Sequence, residues 1–190
     1  MNMDDIKKSE IKLESFFTKV LAVIGKTTEV EIANLLKEQK LTVSTAESIT
    51  AGMISSRLTK VPGSSEYYIG GVICYHNRAK VIELGISPGL IAKKGVVSKE
   101  VAIAMAESIR DKLKTDIGIA ITGSAGPAPE VNAPVGLIYI ALASDKGSKW
   151  KKIHLVGTRS EIRSKAAQAA LGLLWLHLGG DEIVQFIGED

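Results

Sequence analysis

The sequence is poor in residues that mark several large classes of protein. Its only cysteine is Cys74, so no internal disulfide bond can form, and we expect a reducing compartment. Aromatic residues make up 5% of the 190 residues and are not interleaved with basic runs, which argues against a stacking platform for single-stranded nucleic acid. No apolar run reaches the roughly 20 residues that a membrane-spanning helix needs. We therefore expect no nucleic-acid partner and no membrane partner.

Neither sign of charge dominates the chain. It carries 24 basic and 21 acidic residues, for a net charge of +3, so electrostatics gives no reason to expect a polyanionic partner. The N-terminus lacks the basic segment and apolar run of a signal peptide. These features predict a cytoplasmic protein.

Several motifs for metals and cofactors are also missing. The three histidines, His76, His154 and His177, show no ligand spacing, so we expect no metal site. No Walker loop is present, and no GxGxxG motif opens a helix. A Ser-His-Asp triad cannot be assembled with confidence from the spacing of these residues. We predict neither a metal nor a cofactor.

Apolar runs alternate with helical periodicities along the chain, which is typical of an α/β domain. A length of 190 residues with 45% hydrophobic content suits one domain with a sizeable core. Strands are predicted over residues 41–45, 67–75, 117–121, 135–143 and 149–156. Helices are predicted over residues 49–60, 77–84, 98–113 and 160–178. The continuous apolar run of 117–121 favours a sheet with helices on both faces.

The first 26 residues differ from the rest of the chain. Residues 1–26 are charged and amphipathic, and we expect an N-terminal helical extension that packs on the domain or on a partner subunit. The domain itself is predicted to span residues 27–180. The apolar face of the extension leads us to expect a homo-oligomer.

Two predicted strand ends offer chemistry. Ser48 falls where the first strand stops, so its hydroxyl is expected near the free N–H groups of the next helix. Tyr75 ends the second strand, and Lys80 lies in the first turns of the helix that Asn77 is expected to cap. Serine becomes a nucleophile when a base takes its proton. A helix-capping serine, a solvated lysine and a half-buried tyrosine are the simpler alternatives.

Lys80 can serve as that base only if its pKa is lowered. Partial burial would lower it, and so would a nearby cation such as Arg78 or Arg57. The sequence alone does not choose between these causes.

A loop of small residues follows the third strand. Residues 122–126 would let backbone N–H groups approach an anion or an oxyanion, although a tight turn that needs glycine is the alternative. Arg159 and Arg163, four residues apart on one predicted helix, could grip a phosphate or belong to a solvated face. Ligands of open α/β sheets bind at the carboxyl ends of strands, where these groups are expected.

Many ordered motifs together resemble the CinA C-terminal domain family. They are Thr45-Ala46-Glu47-Ser48 with Gly52, Val61-Pro62-Gly63-Ser64-Ser65, Gly70-Gly71-Val72, Tyr75-x-Asn77-x-Ala79-Lys80, Gly95-x-Val97-Ser98, Thr122-Gly123-x-Ala125-Gly126-Pro127 and Pro134-Val135-Gly136. The resemblance covers about residues 28–178. It implies a three-layer α/β/α sandwich and metal-independent hydrolysis of nicotinamide mononucleotide to nicotinate mononucleotide and ammonia, in pyridine nucleotide salvage.

The resemblance also assigns roles to single residues. The family's serine nucleophile falls on Ser48, its lysine base on Lys80 and its assisting tyrosine on Tyr75. The phosphate and ribose are expected at the 122–126 loop and Arg159. The full set predicted to bind substrate is Thr45, Glu47, Thr50, Gly52, Asn77, Thr122, Gly123, Ala125, Gly126 and Arg159.

The chain departs from the family pattern in two loops. Ile49-Thr50-Ala51-Gly52 stands where members usually have Cys-Thr-Gly-Gly, and Ser124 and Ala128 replace an isoleucine and a glycine of the second loop. Two alternatives to the deamidase therefore remain open: an amidase for another small amide, and a non-catalytic module that binds a nucleotide or phosphate or serves assembly. The large N-terminal domain of fused members is not seen, so we expect a stand-alone form.

Overall fold

The computed structural model describes residues 28–130 and 133–179. In this part of the chain, the helices and strands follow one another as α1 (Thr28–Gln39), β1 (Val43–Glu47), α2 (Met53–Leu58), β2 (Tyr68–Ile73), α3 (Asn77–Leu84), α4 (Pro88–Lys94), α5 (Lys99–Leu113), β3 (Ile117–Gly123), β4 (Leu137–Ser144), β5 (Gly147–His154) and α6 (Arg159–His177).

The five strands form one mixed sheet in the order β2-β1-β3-β4-β5. Strands β2, β1 and β3 run parallel, whereas β4 and β5 are antiparallel to their neighbours. A two-residue turn joins β4 to β5, since Ser144 pairs with Gly147. The carboxyl ends of the three parallel strands, at Glu47, Ile73 and Gly123, therefore share one edge of the sheet.

The two faces of the sheet bury different side chains. One face presents isoleucines of β3 and β4, such as Ile119 and Ile140, to a core that includes residues of α1, α2 and α6. The other face presents small residues, such as Ala120 and Ala141, to α5. A Cβ at Gly118 would lie 2.2 Å from the carbonyl oxygen of Ala106, so α5 packs directly on the backbone of β3. The predicted α/β/α sandwich in a single domain is confirmed.

Three local predictions need correction. The helix predicted over 49–60 begins only at Met53, because Ala51 and Gly52 adopt left-handed backbone angles with φ of 48° and 95°. The first strand runs over Val43–Glu47 rather than 41–45. The cap of α3 is His76, whose Nδ1 accepts from the N–H of Arg78 at 3.2 Å, and not Asn77.

Other predictions concern residues outside the described ranges. The N-terminal extension over 1–26 lies there, and so does the apolar face from which a homo-oligomer was expected, so both stay predictions. The boundary of the domain at 27–180 also stays a prediction. Across residues 28–130 and 133–179, no helix combines the length and the hydropathy needed to cross a membrane.

Candidate active site

Ser48 and Lys80 meet at the carboxyl edge of the parallel strands. Ser48 directly follows β1, and its N–H donates to the carbonyl of Ile121 in β3 at 3.1 Å, which fixes it to the sheet. Lys80 lies in the first half of α3, and its Nζ is 3.0 Å from Oγ of Ser48. The fold thus joins two side chains that are 32 residues apart by one direct hydrogen bond.

Lys80 is fully buried, with an exposed fraction of 0%. Its Nζ also donates to the carbonyls of Cys74 at 2.8 Å and Tyr75 at 3.4 Å, and no described carboxylate lies within ion-pair distance of it. Burial lowers the pKa of Lys80, although Cys74 and the Glu130 carboxylate act in the opposite direction. A neutral amine has two N–H groups for the two carbonyls and one lone pair, which can accept the proton of Ser48.

Neither arginine proposed from the sequence accounts for this lowered pKa. Arg57 forms an ion pair with Glu29 at 2.7 Å and donates to Gln168 of α6. Arg78 is exposed on α3 and is not among the groups that shift the pKa of Lys80. Burial, the other cause considered, is the one that operates.

Glu47, immediately before Ser48, organises the turn that follows. Its Oε2 accepts from the N–H groups of Gly52 at 2.9 Å and Ile54 at 3.1 Å. Its Oε1 accepts from the N–H of Ser55 at 2.8 Å and from the hydroxyl of the same residue at 2.6 Å. Glu47 is fully buried, so these contacts indicate a role in fixing the turn and the start of α2 rather than in contacting substrate.

Arg163 of α6 holds the same turn from the other side. Its Nε donates to the carbonyl of Ile49 at 2.9 Å, and its Nη2 donates to that of Thr50 at 3.2 Å. The N–H of Ala51 closes the turn on the carbonyl of Ser48 at 3.2 Å. The guanidinium suggested as a phosphate ligand therefore binds the backbone next to Ser48.

Tyr75 and Arg159 pair at the rim of the site. Nη2 of Arg159 donates to the hydroxyl of Tyr75 at 2.6 Å, and Nη1 donates to the carbonyl of Gly126 at 2.5 Å. Tyr75 is 53% exposed, and its contact with Lys80 is made by its carbonyl. The assisting role of the Tyr75 hydroxyl stays a prediction. Arg159 contacts both Tyr75 and the 122–126 loop, and binding of the nucleotide by Arg159 and this loop also stays a prediction.

The 122–126 loop is held tightly by the fold. The Thr122 hydroxyl donates to the carbonyl of Val96 at 2.9 Å, and Ala125 is buried in the core that includes α6. A Cβ at Gly123 would lie 2.8 Å from the carbonyl oxygen of Leu137, which explains the need for glycine there. Of the predicted loop residues, Gly126 is the one in contact with Arg159.

Three further residues predicted to bind substrate lie in different surroundings. The Thr45 hydroxyl lies 2.9 Å from the hydroxyls of both Ser55 and Tyr68, inside the protein. Asn77 is exposed at the start of α3. Gly52 has a φ of 95° and adjoins the turn that Glu47 holds. Substrate contact by these residues stays a prediction.

Two buried hydroxyls near the carboxyl edge have no hydrogen-bond partner in the described residues. They belong to Thr50, two residues after Ser48, and to Ser124, directly after β3. An unsatisfied buried hydroxyl costs about 1–3 kcal/mol, so such groups call for an explanation.

Two features of the site were not predicted from the sequence: the backbone carbonyls that hold Lys80, and the Ser55 hydroxyl that donates to Glu47. The hydrogen bond to the Cys74 carbonyl is the shorter of the two, and every residue has a carbonyl, so residue types cannot indicate it. Burial raises the pKa of the Cys74 thiol itself. Within the described ranges, no cluster of three or more His, Cys, Asp or Glu residues could hold a metal ion.

Comparisons with known proteins agree with this architecture. The family described as the CinA C-terminal domain matches residues 25–178. A competence-damage inducible protein of Desulforudis audaxviator is 40% identical over 179 residues, which are 90% of this chain and 43% of that protein. The chain thus spans less than half the length of that relative.

Solved structures cover the match more completely. A competence or damage-inducible protein from Enterobacter asburiae is 29% identical with a TM-score of 0.77, over 80% of this chain and 96% of that one. A competence/damage inducible protein from Agrobacterium tumefaciens is 31% identical with a TM-score of 0.74, over 80% and 95% of the two chains.

Proposed function

The chain belongs to the CinA C-terminal domain family, and on that premise we propose that it hydrolyses the carboxamide of nicotinamide mononucleotide. The products are nicotinate mononucleotide and ammonia. The observation that carries this proposal is the hydrogen bond of 3.0 Å between Lys80 and Ser48, made by a lysine that is fully buried.

The proposed reaction proceeds through a covalent intermediate. The neutral amine of Lys80 accepts the Ser48 proton as Oγ attacks the carboxamide carbon. Backbone N–H groups stabilise the negative oxygen of the tetrahedral intermediate. Lys80 then returns the proton to the amide nitrogen, and ammonia leaves. Water attacks the resulting ester with Lys80 again as base, which releases the carboxylate and restores Ser48.

Recognition of the nucleotide is proposed for the rim. Arg159 offers a guanidinium beside the Tyr75 hydroxyl and the 122–126 loop, and guanidinium groups bind phosphate with good geometry. Thr50 and Gly52 belong to the turn that follows Ser48, and Asn77 begins α3 two residues after Tyr75. A substrate with a phosphate should therefore be preferred over one without it.

A comparison of three substrates tests the proposal. Nicotinamide mononucleotide, nicotinamide riboside and nicotinamide are each incubated with the protein, and products are identified by chromatography and mass spectrometry. We expect the mononucleotide to be hydrolysed with a kcat/KM at least tenfold above that of the riboside. Equal rates for all three would remove the role of the phosphate. Binding of the mononucleotide without any product would instead favour a binding module.

An exchange of Arg159 sharpens the same test. Arg159→Met should lose most of the preference for the phosphate, because the riboside does not use that contact. The matched control is Arg110→Met, since Arg110 also donates to a carbonyl, that of Asp116 at 3.0 Å, on α5. An unchanged preference in Arg159→Met would move the phosphate site elsewhere.

A further inference from the structure

We propose that Arg163 is a positioning residue for Ser48, and that it orients the backbone of the nucleophile turn, residues 48–52, to present an oxyanion hole. The inference deepens the proposed function, because it rests on Ser48 as the attacking group. It assigns the two donors to the N–H groups of Ile49 and Thr50.

These two N–H groups donate no hydrogen bond to the described residues, unlike the other N–H groups of the nucleophile turn. The N–H of Ser48 donates to Ile121, that of Ala51 to the carbonyl of Ser48, and that of Gly52 to Glu47. For Ile49 and Thr50, the described residues supply no acceptor. Both residues are nearly or fully buried, at 4% and 0% exposure.

Unsatisfied N–H groups of this kind are rare and costly. More than nine in ten buried N–H groups in proteins have a partner, and a missing partner lowers the stability of the folded state. Two in succession, directly after a serine that contacts a buried lysine, therefore indicate a site for an oxygen atom. In hydrolases that use an oxyanion hole, backbone N–H groups of this kind supply the donors.

Arg163 fixes the direction of the second N–H group. Its Nε binds the carbonyl of Ile49 at 2.9 Å, and the peptide bond between Ile49 and Thr50 is trans. In a trans peptide the N–H points opposite to the carbonyl, so the Thr50 N–H is directed away from Arg163 and α6. Lys80 belongs to α3, whose core residues pack in the layer on the opposite face of the sheet from α6. In the proposed arrangement, the N–H is therefore on the side of the turn that faces Lys80.

Arg163 is suited to this task because its contacts are specific. Among the described residues, no carboxylate forms an ion pair with it, and two of its donors go to consecutive carbonyls of one turn. A charged donor forms stronger hydrogen bonds than a neutral one, so the guanidinium holds both peptides against rotation. The unpartnered Thr50 hydroxyl adds another polar group within the same turn.

The test uses a fluorophosphonate, which reacts with activated serines without any nucleotide recognition. Oγ of Ser48 forms a bond to phosphorus, the P–F bond breaks, fluoride leaves, and Lys80 takes the serine proton. The phosphoryl oxygen then occupies the position of the oxyanion. Intact-mass spectrometry follows the rate of labelling, and peptide mapping identifies the residue. The kcat and KM for nicotinamide mononucleotide are measured alongside.

The variants are Arg163→Met, Arg163→Lys and the control Arg57→Met. Arg57 is also a partly buried arginine that ties α2 to α6, through Gln168, and it contacts no residue of the nucleophile turn by hydrogen bonding. We expect Arg163→Met to label roughly 10- to 100-fold more slowly, with kcat reduced and KM changed less than about threefold. Arg163→Lys, which can still bind one carbonyl, should fall between. Arg57→Met should lose thermal stability but label at the normal rate.

Each outcome decides the proposal. If Arg163→Met loses stability as Arg57→Met does but labels normally, Arg163 is structural only and the proposal is wrong. If the parent protein fails to label at Ser48, the activated serine is absent and the inference falls with it. If Ser48 labels and depends on Arg163 while no variant hydrolyses the nucleotide, the inference stands and the proposed substrate fails.

Discussion

Glu47 and Lys80 are two ionisable side chains with the same exposure, 0%. Glu47 precedes Ser48 in the sequence, and Lys80 contacts Ser48 in the folded protein. The carboxylate of Glu47 accepts four hydrogen bonds from the start of α2. The amine of Lys80 has two backbone carbonyls and the Ser48 hydroxyl as partners. The first group is saturated by the protein, whereas the second shares a hydrogen bond with a group that can give up a proton.

The difference shows that burial alone does not distinguish a structural charge from a chemical one. A buried carboxylate whose oxygens accept four hydrogen bonds holds the backbone in place. A buried lysine without a carboxylate partner has its charged form destabilised, and so its pKa is lowered. The identity of the hydrogen-bond partners, rather than exposure, separates the two roles.

The largest effect is expected from Lys80→Met, which removes the amine next to Ser48. Methionine keeps much of the length of lysine but cannot accept a proton, so kcat for the amide hydrolysis should fall by about 10³-fold or more. Circular dichroism should show that the fold is retained. The surface lysine Lys37, which pairs with Glu66, provides the control Lys37→Met, expected to keep full activity. A Lys80→Met protein with near-normal turnover would rule out the base assigned here.

The pH dependence of the same pair follows from the direction of the Lys80 pKa shift. Burial places this pKa below its ordinary value of 10.5, and only the neutral amine accepts a proton, so kcat/KM should rise with pH through the lowered pKa. The unfolded chain holds the proton more tightly than the folded one. The cost of burying the ammonium is therefore complete below the lowered pKa and disappears as pH rises towards 10.5.

Stability and rate can be measured on the same samples. Unfolding by urea at a series of pH values should show a free energy that rises with pH in that window, after the slope of Lys80→Met is subtracted. An identical slope in both proteins would show that Lys80 is not buried as a perturbed amine.

Glu47→Gln tests the saturated side of the comparison. The amide can satisfy only one of the two pairs of donors that the carboxylate oxygens bind, and its NH₂ faces N–H groups instead. We expect a loss of about 2–4 kcal/mol in the free energy of unfolding. Glu66→Gln is the control, because the Glu66 side chain is 63% exposed and its ion pair is worth at most about 1 kcal/mol. Equal, small losses in the two variants would contradict the structural role of Glu47.

The smallest effect is expected at Ala51, whose φ of 48° is left-handed. Glycine adopts this conformation without the strain that a Cβ brings, so Ala51→Gly should stabilise the protein by about 0.5–1 kcal/mol. Lys114, with a φ of 53° at the end of α5, offers the matched Lys114→Gly outside the site. Thermal unfolding of both proteins checks the prediction, and a fall in stability for Ala51→Gly alone would mean that its methyl group packs favourably.

The order of elements and the position of the site could be predicted because apolar periodicity is a local property. The helix over Asn77–Leu84 appears where the sequence places it, and the helix predicted over 98–113 is observed as Lys99–Leu113. The start of α2 could not be predicted, because it depends on the left-handed Ala51 and on the Glu47 carboxylate, which accepts the N–H groups that would otherwise extend the helix. Residue types alone do not indicate that Ala51 is left-handed or that Glu47 accepts these N–H groups.

The roles of the two helix arginines were beyond sequence for a similar reason. Arg159 and Arg163 have the same side chain and lie four residues apart, yet one contacts Tyr75 and Gly126 while the other contacts Ile49 and Thr50. The partners are carbonyls and a phenol brought in by distant segments. Only the packing of α6 against the carboxyl edge decides between them.

The role of Ser48 as the nucleophile is tested by the release of ammonia from nicotinamide mononucleotide, measured for the parent protein and Ser48→Ala side by side. We expect steady release by the parent protein and a loss of at least about 10³-fold in the variant, with folding unchanged. Release that survives in Ser48→Ala would show that the hydroxyl paired with Lys80 is not the nucleophile.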